Sequence, residues 1–442
     1  MSSTKFGVAL LGFGTVGTGV YNLLEQQTKQ IQEKYGFGFE VRKILVRDPD
    51  KRGRFTSIPK KLLAKNIDEI LSDQSIDVVV EVMGGENPAK GYIIDALKAG
   101  KHVITANKRL CGSHGESLVS KARQYGKFFG FAAAVTGFHQ FCPSIVNSVT
   151  IKSVVGIFNG TSNYILTRME EGLSGNDALH EAQVKGYAEA DPSEDIDGLD
   201  TRNKLIVVSR LAFGKFLSVK DIDASGIRNI SKIDMEFASE LGYTIKLLGI
   251  SRRENNTVHA VVCPCLVPKK DSLASVKGVN NGIKVYDELR GVQGMAVAGA
   301  GSNPTSMAIF SDLISMAKGD QILWPAPSAV NQNLKYSKSE WPSKYYLRIQ
   351  VANQPGVLAK VSKAFGKSGI NIADVLQKAD KGDVKLRDVP IVLVCGPTIE
   401  RNVQQALRSI KAITLASPVL IRVEDPSAHL KECAFEAASA NA

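Results

Sequence analysis

Short apolar runs alternate with segments of helical periodicity over the first third of the chain. Continuous apolar runs of this length are typical of strands that are buried on both faces of a parallel sheet. The pattern predicts strands at 6–11, 39–46, 78–82 and 102–105, and helices at 15–32 and 92–98. Because strands and helices alternate, the sequence predicts an α/β fold with a Rossmann-type, doubly wound parallel sheet.

The alternation becomes irregular after about residue 137. A strand is predicted at 154–158, and residues 258–266 alternate as in a strand with one exposed face. Helices are predicted after Ser162 and at 178–185, 200–213 and 304–317. The middle of the chain is therefore predicted to be an α+β domain.

The last hundred residues have a third pattern. Strands are predicted at 345–352, 370–378, 389–395 and 418–424, with helices at 357–368 and 399–410, which gives the ferredoxin-like order βαββαβ. The predicted boundaries are 1–136 for the first domain, together with a helix at about 302–320, and 137–301 for the second. A linker at 321–343, rich in Pro, Ser, Asn and Gln, leads to the small domain at 344–425 and a tail at 426–442.

Composition excludes several classes of function. The net charge is +11, but the basic residues are scattered and are not interleaved with aromatic ones, so nucleic acid is not an expected partner. The sequence contains no stretch of 18 apolar residues, so it predicts no membrane span. Six cysteines in 442 residues fit a reducing compartment, and we expect the cytoplasm. Cys263 and Cys265 are close in sequence, but a C-x-C pair alone does not make a metal site.

A glycine-rich motif follows the first predicted strand and begins the first predicted helix. Residues 12–19 match G-x-G-x-x-G, the fingerprint of dinucleotide-binding folds. Gly12 would permit a tight turn, Gly14 would let the backbone approach a pyrophosphate, and Gly17 would let helix and strand pack closely. The helix N-terminus would bind phosphate oxygens. The predicted cofactor-binding residues are Gly12, Phe13, Gly14, Thr15, Val16 and Gly17.

The end of the second predicted strand bears on the choice of cofactor. A carboxylate there binds the ribose of NAD, whereas an arginine suits the 2′-phosphate of NADP. Arg47 and Asp48 are both present, and Lys51 and Arg52 follow. The basic cluster favours NADP over NAD, with a solvated turn that binds neither as the alternative.

An acidic segment at 186–204 ends in a candidate for proton transfer. Asp200 and Lys204 lie four residues apart, on one face of a predicted helix. A lysine amine can exchange a proton with a reacting oxygen, and a carboxylate can bind an ammonium group. From the residues alone, the alternative of an ordinary exposed ion pair beside a solvated acidic loop competes well.

Residues 186–204, GYAEADPSEDIDGLDTRNK, resemble the signature of the homoserine dehydrogenases. The resemblance implies that Lys204 is a catalytic lysine at the carbonyl oxygen and that Asp200 orients the substrate and this lysine. It also implies that Glu189 binds the substrate ammonium and that Asp195 supports the substrate site. The implied reaction interconverts L-homoserine and L-aspartate 4-semialdehyde with NAD(P), in threonine, methionine and isoleucine biosynthesis, by a homodimer or homotetramer.

Other motifs extend the resemblance over about residues 5–320, which implies that 1–136 is a dinucleotide-binding domain and that 137–301 is a substrate, catalytic and dimerisation domain. Residues 81–85 and 105–108 are similar to strand ends of the family's nucleotide domain, which implies that Lys108 is a second active-site lysine beside nicotinamide and substrate. Residues 156–163, GIFNGTSN, resemble a loop in which Gly160 and Thr161 donate hydrogen bonds to the substrate carboxylate; a plain helix cap is the alternative. Gly301 belongs to a motif similar to a loop near the cofactor.

One stretch departs from the family. The family has Glu-Ala-x-Val-x-Gly-Gly-Ile-Pro where this chain has residues 132–143, AAAVTGFHQFCP. In the family this stretch implies a monovalent cation such as Na⁺, bound mostly by backbone oxygens, here those of Val135, Gly137 and His139. The departure keeps two alternatives open, a catalytically weakened sensor of cofactor or amino acid and another amino-acid dehydrogenase on the same scaffold.

Residues 346–361 and 369–372 resemble the start of an ACT domain. Such domains pair side by side and often bind an amino acid, which in this family implies feedback by threonine. Related chains often carry Thr-His after the third strand, where this chain has Gly396 and Pro397. A dimerisation module without a ligand is the alternative.

Overall fold

The computed structural model describes residues 4–48, 58–135, 145, 148–214, 217–298, 302–321, 324, 334–338, 341–377 and 387–429. The chain divides into two compact units. The first comprises Met1–Val149, Asn203–Val219 and Val297–Gln332, and the second Thr150–Arg202, Lys220–Ala296 and Asn333–Ala442. No helix in the described ranges has the length and apolarity needed to cross a membrane.

The first unit contains a six-stranded sheet in the order β3-β2-β1-β4-β5-β6. All of its pairings are parallel, which confirms the predicted Rossmann-type sheet. Its strands are β1 Thr4–Leu11, β2 Phe37–Leu45, β3 Leu63–Ala64, β4 Val78–Glu81, β5 His102–Thr105 and β6 Phe129–Gly130.

Helices cover this sheet and complete its core. Val8 and Leu10 of the central strand β1 are fully buried, as expected of an apolar run that is covered on both faces. The late helix Ser302–Lys318 contributes Ala308 and Leu313 to the same core. The helices of this unit are Thr15–Tyr35, Asp68–Leu71, Ala89–Lys98, Lys108–Gln124 and Ser302–Lys318, with 3-10 turns at Lys60–Leu62 and Ala132–Val135.

The second unit contains a larger mixed sheet in the order β12-β11-β7-β9-β10-β17-β14-β16-β15, with β8 and β13 also paired to β10. Its strands are β7 Ile151–Ile157, β8 Asp223–Ala224, β9 Tyr243–Glu254, β10 Thr257–Pro268, β11 Asn280–Asp287, β12 Gly291–Ala298, β13 Lys335–Lys338, β14 Ser343–Ala352, β15 Ile372–Leu376, β16 Asp388–Thr398 and β17 Val419–Val423. Its helices are Gly160–Glu170, Gly175–Val184, Ser193–Ile196, Lys232–Glu240, Val357–Lys367 and Glu400–Ser409, and Leu199–Phe213 begins here; 3-10 turns lie at Lys411–Ile413 and Pro426–His429.

Strand β10 corrects one expectation. The sequence predicted an exposed face, but nearly every residue of β10 is buried. The reason is that both faces of the strand are packed. Val261 and Cys265 on one face belong to a core cluster with Trp341, and Val262 on the other face lies close to Gly198. Within the sheet, β10 lies between β9 and β17 and also pairs with β8 and β13. Strand β13 lies within the stretch that was predicted to be a linker, and neighbouring Leu334 and Trp341 are buried as well.

The C-terminal part has the predicted βαββαβ order. Its last strand, β17, pairs in parallel with β10, with Cys265 opposite Arg422 and Leu266 opposite Val423. The small C-terminal sheet is therefore continuous with the sheet of the middle segment. The sequence had suggested two separate domains, because no local pattern reveals a pairing between strands about 150 residues apart.

Candidate active site

The glycine loop after β1 has the geometry expected of a dinucleotide fingerprint. Gly12 has a φ of +103°, and a Cβ there would lie 3.0 Å from the carbonyl oxygen of Val82. A Cβ on Gly17 would lie 2.4 Å from the Gly12 carbonyl oxygen, so this position tolerates only glycine. A Cβ on Gly14 would meet no atom within 4 Å. The loop is therefore tightly packed at its first and third glycines and open at the second.

The helix Thr15–Tyr35 begins directly after Gly14, and its first N–H groups have no acceptor within the helix. Phe13 is 9% exposed and packs edge-on against Tyr21, with ring centroids 5.8 Å apart. Val16 packs against the core. Phe13 and Val16 are thus positioned to offer backbone groups, rather than side chains, to a ligand at the loop.

Arg47 and Asp48 lie just beyond the carboxyl end of β2, and both are exposed. Ligands of doubly wound sheets bind at this end of the strands. Lys51, Arg52 and Gly301 lie outside the described residues.

A buried carboxylate connects the ends of β4 and β5. Glu81 is fully buried, and its Oε1 accepts hydrogen bonds from the backbone N–H of Met83 at 2.8 Å and of Gly84 at 3.2 Å. Its Oε2 accepts a hydrogen bond of 2.6 Å from the hydroxyl of Thr105. Thr105 in turn accepts the N–H of Asn107 at 3.0 Å. This network fixes the turn that follows β5.

Asn107 caps the helix Lys108–Gln124, accepting the N–H of Leu110 at 3.1 Å, and donates to the carbonyl oxygen of Gly85. Lys108 is therefore the first residue of a helix at the carboxyl end of a parallel strand, and it is partly buried. Glu81 and Asn107 were missing from the predicted site residues, although both lie in the segments 81–85 and 105–108 that resemble the family.

Asn159 brings together two carboxylates of the acidic segment. Its Nδ2 donates to Oδ1 of Asp195 at 2.6 Å and to Oδ2 of Asp200 at 2.9 Å. Its Oδ1 accepts the N–H of Ser162 at 2.7 Å, which caps the helix Gly160–Glu170. Asn159 is 4% exposed. The cap and the acidic segment are thus held by one side chain, which was not among the predicted site residues.

Gly160 and Thr161 form the first turn of that helix. A Cβ on Gly160 would lie 2.4 Å from the carbonyl oxygen of Val279, so a larger residue does not fit. The Thr161 hydroxyl donates to the carbonyl oxygen of Tyr187 at 2.7 Å. Its proton is therefore directed away from a ligand, and the donors that this turn can offer are backbone N–H groups.

The acidic segment is an ordered turn. Asp191 accepts hydrogen bonds from the N–H and hydroxyl of Ser193, and Arg228 binds both Ser193 and Asp197. Glu189 is exposed at the start of this turn, and its carbonyl oxygen accepts a hydrogen bond of 3.2 Å from Gln183.

Lys204 follows Asp200 by one turn of the helix Leu199–Phe213. Lys204 is 2% exposed and Asp200 is partly buried. An ordinary surface ion pair would leave both side chains in water, so that alternative does not describe this pair.

Comparison with known proteins assigns these segments to one family. The family described as homoserine dehydrogenase matches residues 140–314, and its NAD-binding domain matches residues 12–131. The ACT domain family matches residues 345–412. The chain belongs to the homoserine dehydrogenase family. It is therefore an oxidoreductase with a nicotinamide-nucleotide domain and a C-terminal ACT domain.

Homoserine dehydrogenases from several bacteria are similar over nearly the whole chain. The Bacillus subtilis (strain 168) protein is 34% identical over 420 residues, which cover 93% of this chain and 96% of that protein. The Pseudomonas aeruginosa protein is 35% identical over 435 residues, or 96% and 99%. The crystal structure of a homoserine dehydrogenase from Thiobacillus denitrificans matches with a TM-score of 0.87 at 34% identity, and covers 96% of this chain and 99% of that one.

The stretch that departs from the homoserine dehydrogenase pattern is only partly described. Val135 is buried at the end of the 3-10 turn Ala132–Val135, whereas Gly137 and His139 lie outside the described residues. Ala132 donates its N–H to Oδ2 of Asp312 at 2.8 Å, and burial raises the pKa of Asp312 to about 7. Within the described ranges, no cluster of three His, Cys, Asp or Glu side chains could hold a metal.

Proposed function

We propose that the chain interconverts L-homoserine and L-aspartate 4-semialdehyde, with NADP as the preferred cofactor and NAD as the alternative. The observation that carries the proposal is the buried Lys204 one helical turn after Asp200, a carboxylate that shares Asn159 with Asp195. Burial of this lysine distinguishes the pair from an exposed ion pair on a helix surface.

The second unit supplies groups for the amino-acid end of the substrate. The carboxylates of Glu189 and Asp195 suit the α-ammonium, and the backbone N–H groups of Gly160 and Thr161 suit the α-carboxylate. Because Asn159 holds Asp195 and Asp200 in fixed positions, these two side chains need little further ordering when the substrate binds.

Proton transfer is assigned to Lys204, with Lys108 as a second amine at the reacting oxygen. In the oxidative direction the neutral amine of Lys204 accepts the hydroxyl proton of homoserine. In the reductive direction the ammonium stabilises the developing alkoxide and returns the proton. Asp200 orients the lysine. The nicotinamide, when bound, accepts or returns the hydride.

The glycine loop fits a dinucleotide because it is open where the fingerprint requires a close approach. With the pyrophosphate at Gly14, the N–H groups of Thr15, Val16 and Gly17 and the positive end of the helix dipole would face its oxygens. Arg47 would bind the 2′-phosphate of NADP.

Replacing Gly14 with alanine should weaken NADP binding at least about tenfold without lowering the melting temperature. The added methyl group meets no protein atom, so it would conflict only with the bound pyrophosphate. Gly17→Ala is the matched comparison, because its Cβ clashes with the Gly12 carbonyl oxygen and should reduce both stability and binding. Binding is measured by fluorescence titration. Unchanged affinity in Gly14→Ala would place the pyrophosphate elsewhere.

Arg47→Ala should raise the KM for NADP about tenfold and leave the KM for NAD nearly unchanged, since only NADP has a 2′-phosphate for the guanidinium to bind. Arg42→Ala is the control, because Arg42 is an exposed arginine of β2, the strand before Arg47, and its partner is Glu40 at 3.0 Å. Steady-state kinetics with each cofactor measures the effect. If the KM values for NADP and NAD change by the same factor, Arg47 is a solvated residue that does not bind the 2′-phosphate.

The activity itself is tested by following NADP and NAD reduction at 340 nm with purified full-length protein and L-homoserine. Turnover that requires L-homoserine supports the proposal. Bound cofactor without turnover would favour a sensor, and turnover only with other amino acids would favour a different dehydrogenase on the same scaffold.

The ACT domain extends the proposal to regulation, with L-threonine as the implied ligand. Inhibition by millimolar L-threonine in the same assay would support it, and full activity would favour an assembly module. A homodimer or homotetramer, a cytoplasmic location, a Na⁺ site at Val135, Gly137 and His139, and the domain boundaries given above stay predictions from the sequence.

A further inference from the structure

Two cysteines lie side by side on β10, where the C-terminal sheet joins the middle sheet. Cys263 and Cys265 project from the same face of the strand, and their sulfur atoms are 3.7 Å apart. Cys265 is fully buried, whereas Cys263 is partly exposed. One cysteine of the pair is thus partly exposed, and the second thiol is in contact with it.

A buried arginine faces this pair from the neighbouring strand. Arg422 of β17 lies opposite Cys265, and its side chain is 3% exposed. Its guanidinium donates to the Ser343 hydroxyl at 2.6 Å and to Glu400 at 3.1 Å, and lies over the ring of Trp341 at 4.5 Å. Among the described residues, its Nε has no hydrogen-bond partner.

The surroundings make the two thiols unequal. The hydrogen bond from Cys265 and the charge of Arg422 lower the pKa of Cys263, against the effect of burial. Burial and the neighbouring Cys263 raise the pKa of Cys265. Burial also raises the pKa of Cys111, and that of Cys395 to about 12, so these two are expected to be inert.

We propose that Cys263 and Cys265 are a site of reversible oxidation, in which a hydroperoxide converts the two thiols to a disulfide. The Cys263 thiolate attacks the O–O bond; a sulfur–oxygen bond forms, and the alcohol, or water from hydrogen peroxide, leaves. The Cys265 sulfur then attacks the sulfenic acid, the S–S bond forms, and the oxygen leaves as water with the Cys265 proton. The two sulfurs lose two electrons, which the peroxide gains.

Strand geometry indicates that this disulfide is readily reduced. Two residues along a strand place the Cα atoms about 6.6–6.8 Å apart, at the upper limit of the usual disulfide range. The sulfur atoms must also close from 3.7 Å to about 2 Å. The strained bond would therefore be labile, and its formation would shift β10 at the residue that pairs with Arg422.

The full-length reduced protein, treated with hydrogen peroxide and then alkylated, tests the proposal. Trypsin cleaves after Arg253 and Lys269, so both cysteines fall in one peptide, 254–269. This peptide should become two hydrogens lighter and resist alkylation, and dithiothreitol should reverse both changes. If both cysteines are still alkylated after a peroxide treatment that oxidises other cysteines of the chain, the proposal is wrong.

Two variants test the order of events and the role of Arg422. In Cys265→Ser the sulfenic acid should persist at Cys263 and react with dimedone; no dimedone adduct would contradict the assignment of Cys263. Arg422→Met removes the charge beside Cys263 and should raise the pKa of that thiol. Each unit of this rise should slow oxidation at pH 7 about threefold. Glu400→Gln, which leaves the guanidinium in place, should not slow it. If Arg422→Met and the unmodified chain are oxidised at the same rate, Arg422 has no role in the reaction of Cys263.

Discussion

Lys204→Met should reduce kcat for L-homoserine oxidation by more than about a hundredfold, while the affinity for NADP stays within about twofold of the unmodified chain. Methionine fills nearly the same buried volume as lysine but cannot accept a proton. The loss therefore falls on the step in which the substrate hydroxyl is deprotonated. Steady-state kinetics and a cofactor titration on the same preparation separate the two effects.

The control is a second buried lysine of the first unit. Lys101 is 2% exposed and donates to the carbonyl oxygens of Asp73 at 2.7 Å and Ile76 at 3.0 Å, which ties a loop to the sheet. Lys101→Met should lower the melting temperature and leave kcat nearly unchanged. If both variants lose stability and activity in parallel, Lys204 is a structural lysine and its catalytic assignment is wrong.

The pH dependence gives a further readout that packing alone would not alter. When Lys204 acts as a base, the rate of homoserine oxidation rises with pH as its amine loses a proton. In Lys204→Arg the guanidinium stays charged, so the rate should be low and this rise should be absent. A pH profile that keeps the same shape in Lys204→Arg would assign the base to another group, with Lys108 as the next candidate.

The spacing of Asp200 and Lys204 could be predicted from the sequence, but the burial of Lys204 could not. Four residues on a helix place two side chains on one face, whichever way that face points. Whether the face meets water depends on partners that are remote in the chain. The same limit applied to β10, where alternating residues predicted an exposed face, but residues that are remote in the chain pack on both faces.

The site residues that sequence reasoning missed are those that hold other groups in place. Glu81 and Asn107 fix the turn before Lys108, and Asn159 connects two carboxylates. Asparagine before a helix is common as a cap, so its type alone does not indicate a second role. By contrast, φ at Gly12 and the packing at Gly17 followed from the motif, because local sterics decide them.

Asn159→Ser should lower kcat/KM for L-homoserine by about thirtyfold and leave the KM for NADP unchanged. Serine can still cap the helix Gly160–Glu170, so stability should change little. A single hydroxyl, however, cannot donate to Asp195 and Asp200 together, as the amide does at 2.6 and 2.9 Å. The two carboxylates would then repel each other without a shared donor, and the substrate groups would meet a less ordered site.

Charge repulsion predicts a specific change in the pH profile. When two carboxylates lose a common donor, the pKa of one of them rises. The acid limb of kcat/KM for homoserine should therefore shift to higher pH in Asn159→Ser, and further in Asn159→Asp, which keeps the cap but adds a third carboxylate. A uniform fall in rate with no shift of this limb would mean that Asn159 acts only through the helix cap. Asp195 and Asp200 would then have to be positioned by other residues of the acidic turn.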